Sequence, residues 1–271
     1  MIGLPAARGK PQACVPLPCT PICPPADMLA DDSEIPDDPT GGAAYCHPAA
    51  MRAWRGALTQ LDSPTGLFRA AWAIARHELP EADVTAGEAA VARLADTVNS
   101  RVRSRSVDAR LAHLHDVLFE VAGFAGNQDN YYAPANSYLP EVLRTKRGLP
   151  ITLTLIYQSV ASRCGLTVYG VNAPGHFLAE VEVNGGRSMY VDPFFGGGAL
   201  AGSEALDRIE QATGRPISEA AAPLARATPA SWLARILANL SASFAMTNRQ
   251  RDLLAMQELQ AELATHGGVR P

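Results

Sequence analysis

The sequence lacks the features that mark several large classes of protein. Acidic residues outnumber basic ones, 27 to 23, and the resulting net charge of −4 offers no basic surface for nucleic acid. No apolar run approaches the roughly 18 residues needed to cross a bilayer. The first ten residues also lack an apolar segment after a charged start, which argues against secretion. We therefore expect a cytoplasmic protein that binds neither nucleic acid nor a membrane.

Cysteine is scarce after the first 46 residues. Cys14, Cys19, Cys23 and Cys46 precede that point, and only Cys164 follows it. In a cytosolic chain such cysteines are reduced thiols and not a disulfide framework. Their early cluster, with His47 next to Cys46, leaves a zinc site open as an alternative, but it matches no paired ligand pattern. We predict no metal ion and no cofactor.

Three regions differ in composition. Residues 1–47 are rich in proline and acidic residues and show no hydrophobic periodicity, which predicts a disordered tail. Residues 48–200 are expected to form a helical lobe followed by a mixed core. Gly196-Gly-Gly is expected to be a flexible connector at the end of this region. Residues 201–271 are expected to continue the connection through a short helix at Ser203–Thr213 and to end in two amphipathic helices. Within the helical lobe, Thr85 with Glu88 is the pattern of a capping box at a helix start.

The stretch 147–195 carries the pattern on which the rest depends. Apolar residues at helical spacing predict a helix with one buried stripe, formed by Leu153, Ile156, Tyr157, Val160, Ala161 and Cys164. Pro150 suits the first turn of that helix, and Gly165 ends it. Strands are predicted at 166–171, 176–183 and 187–191, because β-branched or alternating residues are separated there by glycine, proline and asparagine.

The hairpin register brings a histidine and an aspartate together. If the loop is residues 184–186, Val183 faces Arg187 and Asp192 faces Leu178. Asp192 then lies on the same face as His176 and diagonal to it, within reach of its side chain. A two-residue loop would send Asp192 to the opposite face. A carboxylate that orients an imidazole is the usual arrangement of a general base.

The amino-acid sequence of this region resembles that of the transglutaminase-like superfamily, and within it the SirB-like branch. The matching segments are Asn136-Ser-Tyr-Leu, Arg147-Gly-Leu-Pro-Ile-Thr-Leu, Arg163-Cys-Gly-Leu, Pro174-Gly-His-Phe-Leu and Asp192-Pro-Phe. The resemblance implies an α+β fold with a papain- or transglutaminase-like core, in which a helix packs on a small antiparallel sheet. It also implies a helical bundle before that core and a tetratricopeptide-like helix pair after it.

The resemblance also exposes a missing nucleophile. In the superfamily's active enzymes a cysteine opens the central helix, and no cysteine lies between Arg147 and Leu153 here. Cys164 falls about 18 Å further along the helix and is expected to be a buried, inert thiol. Thr152 is the hydroxyl near the helix start, although helix capping or packing is its commoner use. By resemblance, Asn136 is a candidate amide donor for a substrate carbonyl, and otherwise it caps the next short helix.

Three functions remain open from the sequence. The first is a catalytically degenerate module that binds a peptide or protein segment at His176 and Asp192. The second is an active enzyme of amide chemistry that uses Thr152 or a water activated by His176. In the third, His176 has a purely structural role. Glu180 and Glu182 share the strand face of His176 and are expected either to compete with Asp192 for it or to face solvent.

Overall fold

The structure is a computed structural model that describes residues 43–104, 106–183, 187–214, 216 and 224–266. Its mixed helices and strands confirm the predicted α+β class. In chain order the elements are α1 (Pro48–Leu58), α2 (Gly66–Ala75), α3 (Val84–Arg101), α4 (Val107–His115), β1 (Ala125–Gly126), α5 (Leu139–Thr145), β2 (Arg147–Gly148), α6 (Pro150–Arg163), β3 (Val168–Val171), β4 (Leu178–Val183), β5 (Arg187–Asp192), β6 (Gly198–Leu200), α7 (Gly202–Thr213), α8 (Pro229–Met246) and α9 (Gln250–His266). A π-helical extension of α4 (Asp116–Val121) and 3-10 turns at Pro134–Ser137 and Pro193–Phe195 complete the list.

Helix α6 lies at the centre of the fold. It begins at Pro150 and ends before Gly165, as predicted, and Gly165 has the positive φ of 72° that favours glycine. Residues 150–157 are all buried, so the helix is enclosed on every side over its first two turns. The sequence predicted that one stripe of α6 is buried, whereas every face of its first two turns is buried. The cause is tertiary, because strands β3 and β4, helices α3, α5 and α8 and the 3-10 turn after β5 all contact α6.

The antiparallel sheet has the strand order β3-β4-β5-β6. Val183 pairs with Arg187 and Ala179 with Val191, which is the register predicted for a three-residue loop. The loop itself, residues 184–186, lies outside the described residues. Beyond β5, the three glycines at 196–198 do not form the flexible connector that we expected. Two of them make a turn with positive φ, and Gly198 opens β6 opposite Asp192.

The two faces of the sheet pack against different helices. Val181 and Val191 point to one face and belong to the main core around α6. Leu178 points to the other face, where Ala205 and Ile209 of α7 cover it. Side chains alternate between faces along a strand, so Asp192 lies on the α7 side.

Helices α8 and α9 are part of the main core. The apolar stripe predicted on α8 is fully buried, at Leu233, Ile236, Leu237, Leu240 and Phe244. At the start of α8, the Trp232 ring lies 4.7 Å from the Phe177 ring, and its Nε1–H donates to the Ile151 carbonyl at 3.4 Å. The core cluster thus crosses the predicted boundary at residue 200 and runs from Cys46 to Leu263. None of the helices in the described ranges is both long and apolar enough to cross a bilayer.

Two expectations for the N-terminal region need correction. Residues 43–47, assigned to the tail, are ordered, because the Glu258 carboxylate of α9 accepts hydrogen bonds from the backbone N–H groups of residues 44–46. Helix α3 is capped by Asp83, whose carboxylate accepts hydrogen bonds from the Thr85 hydroxyl and from the Thr85 N–H, and these two bonds lower its pKa. Glu88 pairs with a neighbouring helix instead of completing a capping box. The remaining tail, with Cys14, Cys19 and Cys23, lies outside the described residues.

Candidate functional site

His176 and Asp192 meet at the end of the sheet where β4 begins and β5 ends. His176 Nε2 lies 3.0 Å from Asp192 Oδ2, and the two residues are 3% and 1% exposed. Since an ionised carboxylate only accepts hydrogen bonds, Nε2 carries the proton, and Nδ1 is the basic nitrogen of the neutral ring. Asp192 is the imidazole's hydrogen-bond partner among the described residues, and no hydrogen bond to Nδ1 is found there. The predicted meeting of these two side chains is confirmed.

Asp192 is held from three sides. Its Oδ1 accepts a hydrogen bond from the Phe194 N–H at 3.1 Å, which closes the turn after β5. Its Oδ2, already bonded to His176, also lies 3.5 Å from Nε of Arg208 on α7. Hydrogen bonds and a nearby cation compensate a buried carboxylate for its lost hydration. The carboxylate is thereby oriented toward the imidazole.

Aromatic rings surround the imidazole. The ring of Phe194 meets His176 edge-on at a centroid distance of 6.2 Å, and the ring of Phe195 lies at 6.1 Å. Phe194 also contacts the ring of Tyr131 at 5.9 Å. Gly126 lies under Phe194 so closely that a Cβ there would be 2.4 Å from the phenylalanine ring. The two phenylalanines therefore fix the plane of the imidazole, and β1 needs a glycine beneath them.

Thr152 has a structural place at the start of α6. Its Oγ1 accepts from the Leu149 N–H at 3.1 Å and donates to the Asn136 carbonyl at 2.7 Å. The side chain is completely buried. Buried hydroxyls with two good partners stabilise a helix start, and these contacts agree with the capping interpretation of Thr152. They leave no exposed hydroxyl for attack on a substrate.

Asn136 orders the loop that precedes α5. Its Nδ2 group donates to the carbonyls of Asn130 and Tyr131 at 2.6 and 3.0 Å, and its Oδ1 accepts from Asn127 at 2.9 Å. The prediction that Asn136 caps α5 is wrong, since Tyr138 holds the N-cap position without a side-chain hydrogen bond. Both amide hydrogens are engaged, so the oxyanion-type role implied by resemblance would require the loop to rearrange.

Glu180 and Glu182 do not compete for the imidazole. The Arg226 guanidinium contacts Glu180 through two nitrogens at 2.9 and 2.8 Å and reaches Glu182 at 3.4 Å. This pairing holds the pKa of Glu180 below its usual value. Arg226 also lies over the Tyr169 ring at 3.7 Å. These residues form a separate polar cluster on the sheet.

The described thiols lie away from the dyad. Cys164 is buried at the end of α6, and burial raises its pKa to about 11, so it is protonated and unreactive at neutral pH, as predicted. Burial likewise raises the pKa of Cys46 to about 12. No cluster of three or more His, Cys, Asp or Glu side chains suited to a metal ion occurs in the part of the chain that the structure describes.

Two surface cavities lie elsewhere on the molecule. One, of about 260 Å³, is bounded by α6, α8 and the α1–α2 connection, and the other, of about 430 Å³, lies beside the β4–β5 hairpin. Neither lining includes His176 or Asp192. Phe195, which contacts the imidazole, and Arg208, which contacts Asp192, are both partly exposed.

Residues 85–238 match the family model described as the transglutaminase-like superfamily. This range is more than half of the chain and contains α6, His176 and Asp192. The chain belongs to the transglutaminase-like superfamily. The family match extends past residue 200 into α8, in agreement with the continuous core of the structure.

Several of the proteins similar to this chain are named UPF0162. The chain is 35% identical to a UPF0162 protein of Xylella fastidiosa strain 9a5c over 200 residues, which is 72% of this chain and 71% of the relative. A UPF0162 protein of Pseudomonas aeruginosa is 27% identical over 66% of this chain and 65% of its own length. F-box only protein 21 of Mus musculus is 29% identical over 49% of this chain and 20% of its own length. No solved structure gives a significant match. The UPF0162 relatives are consistent with a SirB-like member of the superfamily.

Sequence reasoning missed Arg208. It follows Asp192 by a turn, a strand and half a helix, and nothing in its local pattern distinguishes it from other surface arginines. Phe195 could have been predicted as a neighbour of the site from the sequence, because it directly follows the matching segment Asp192-Pro-Phe. Packing of α7 over the sheet brings Arg208 to Phe195 and to Asp192.

Proposed function

We propose that this transglutaminase-like protein is a catalytically degenerate module that binds a peptide or protein segment at the His176–Asp192 edge. One observation carries the proposal: the dyad is assembled and buried, while the start of α6 has no thiol and its hydroxyl, Thr152, is committed to the backbone. The position from which a covalent nucleophile would act is therefore without one. Both described cysteines are unpaired, which suits the cytoplasmic location expected from the sequence.

The surroundings of the dyad support peptide binding. Nδ1 of the neutral imidazole accepts a hydrogen bond from a backbone or side-chain N–H of a ligand. The partly exposed Phe195 ring offers an apolar surface beside it. A few oriented polar groups next to aromatic surface are typical of ligand sites.

A matched set of variants tests the proposal. Fluorescence polarisation with labelled glutamine-containing peptides should show that they bind to the native protein. A separate assay for ammonia should show that the native protein releases none from these peptides. His176→Ala should weaken binding by about tenfold, the loss expected for one good hydrogen bond. Cys164→Ala, at the far end of α6, should bind as the native protein does. If His176→Ala binds the peptides unchanged while its stability falls, the residue is structural and the proposal fails.

The free Nδ1 favours one other function, the hydrolysis of amides by an activated water. A water bound to Nδ1 would lose its proton to the ring as its oxygen attacks the amide carbonyl, and Asp192 would stabilise the imidazolium. The imidazolium would then return that proton to the amide nitrogen as the C–N bond breaks, which releases ammonia and a carboxylic acid. Ammonia release that is lost in His176→Ala and kept in Cys164→Ala would establish this hydrolase in place of the binding module.

A further inference from the structure

Arg208 is a partly exposed cation beside the buried dyad. Its Nε lies 3.5 Å from Asp192 Oδ2, the oxygen that also receives His176. Its guanidinium carbon stands 4.5 Å from the centroid of the Phe195 ring. The side chain is 27% exposed, so a solute can reach it, whereas the two members of the dyad are buried. Arg208 is thus a solvent-accessible charged group in contact with the buried dyad.

Among the described residues, the contact with Asp192 is the ion pair found for Arg208, and its nearest atom is Nε. A guanidinium has five N–H donors, so this contact leaves most of them without a described acceptor. The distance of 3.5 Å between Arg208 Nε and Asp192 Oδ2 exceeds the roughly 2.7–2.9 Å of strong charge-assisted hydrogen bonds. Oδ2 of Asp192 also accepts from His176 Nε2, and its Oδ1 accepts from the Phe194 N–H. Among the described residues no hydrogen bond from an Nη group of Arg208 is found, so both Nη groups can pair with an incoming acceptor.

Arg226, on the same face of the sheet, shows the satisfied arrangement. It too lies over an aromatic ring, that of Tyr169, but two of its nitrogens donate hydrogen bonds to the Glu180 carboxylate at 2.9 and 2.8 Å. Arg226 therefore already has the bidentate carboxylate that this fork geometry favours. Arg208 also lies over a ring, at 4.5 Å, but no carboxylate among the described residues makes two hydrogen bonds to it.

We infer that Arg208 determines the specificity of the proposed binding site by pairing its Nη groups with a carboxylate of the bound peptide. The inference rests on the proposed function and names its ligand class, a peptide with an acidic side chain or a free C-terminus. The Phe195 ring holds the guanidinium plane in place, which reduces the entropy lost when the fork closes on a carboxylate. Because Nε faces Asp192, the ligand carboxylate would be bound by the Nη groups on the outer edge of Arg208.

Three forms of each peptide distinguish the two sources of the carboxylate. The first has an internal glutamate and an amidated C-terminus, the second an internal glutamine and a free C-terminus, and the third a glutamine and an amidated C-terminus. One of the two carboxylate forms should bind the native protein about tenfold or more tightly than the neutral form. Arg208→Gln should remove that preference, and Arg208→Lys should restore part of it, because lysine keeps the charge but not the fork.

A distant arginine provides the control. Arg144 pairs with Glu141 on the surface of α5, and Arg144→Gln should keep the native preference. Equal binding of all three peptide forms by the native protein, or an unchanged preference in Arg208→Gln, would overturn the inference while the proposed function stands. Absence of binding by all forms would overturn both. Thermal melting of each variant confirms that the compared proteins are folded.

Discussion

The pairing of His176 with Asp192 predicts a measurable coupling energy. In a double-mutant cycle, His176→Ala, Asp192→Ala and the double variant are compared by urea unfolding, followed through the three tryptophans. The cycle isolates the interaction free energy of His176 with Asp192. Asp192→Ala removes the contacts with Phe194 and Arg208 equally whether His176 is present or replaced, so those losses cancel.

The structure sets the size of the effect. The two atoms are 3.0 Å apart in an almost fully buried site, and a hydrogen bond to a charged group contributes about 1.5–3 kcal/mol there. Asp192→Ala should cost about 3 kcal/mol or more, since the carboxylate also closes the turn at Phe194. The coupling should be about 2 kcal/mol, equivalent to a shift of about 1 M in the urea midpoint.

A cycle whose single-variant losses add to within about 0.5 kcal/mol would refute the pairing. Each substitution would then destabilise the protein for its own reason, and the hydrogen bond between His176 and Asp192 would not exist in solution. Such a result would also remove the basis of the proposed function.

Three other predictions concern the framework around the site. Burial lowers the pKa of His115 to about 4, so between pH 6.5 and 4 the unfolded chain binds a proton that the folded protein does not. Stability should therefore fall by up to about 3 kcal/mol as the pH drops through that window, and His115→Gln should flatten the dependence in pH-resolved urea melts. The Cys164 thiol should resist alkylation in the native protein and react once urea unfolds it, as read by peptide mass mapping; rapid native labelling would contradict its burial. Gly170→Ala places a Cβ 2.2 Å from the Trp232 ring and should cost about 1–3 kcal/mol by overpacking, whereas Gly56→Ala, in open space on α1, should stabilise by about 0.5–1 kcal/mol. Equal effects of the two glycine substitutions in thermal melts would show that Trp232 does not pack there.

Local patterns predicted the centre of the site correctly. The start of α6 at Pro150 and its end before Gly165 follow from the conformations these two residues favour. The hairpin register follows from the alternation of side chains and the length of the turn. Together they brought His176 and Asp192 to one face before any tertiary contact was known.

Other local patterns failed where tertiary contacts offered a better partner. Asn136 was expected to cap α5, but the loop before it presents two carbonyls that its amide can reach. Glu180 was a candidate partner for His176, but Arg226 returns to the sheet from a distant segment and takes both of its oxygens. A side-chain hydrogen bond forms with the partner that the fold brings nearest, which need not be a neighbour in sequence.

The sequence by itself determined the helix, the strands, the register and the absence of a thiol at the start of α6, because each depends on a few consecutive residues. Only the tertiary structure placed Arg208 against Asp192 and Phe195 and enclosed the first two turns of α6 on every side. Those arrangements depend on how separate elements pack, and α7 reaches the sheet through apolar contacts that any amphipathic helix could make. The position of a single arginine relative to a distant carboxylate is therefore decided by the packing of the whole domain.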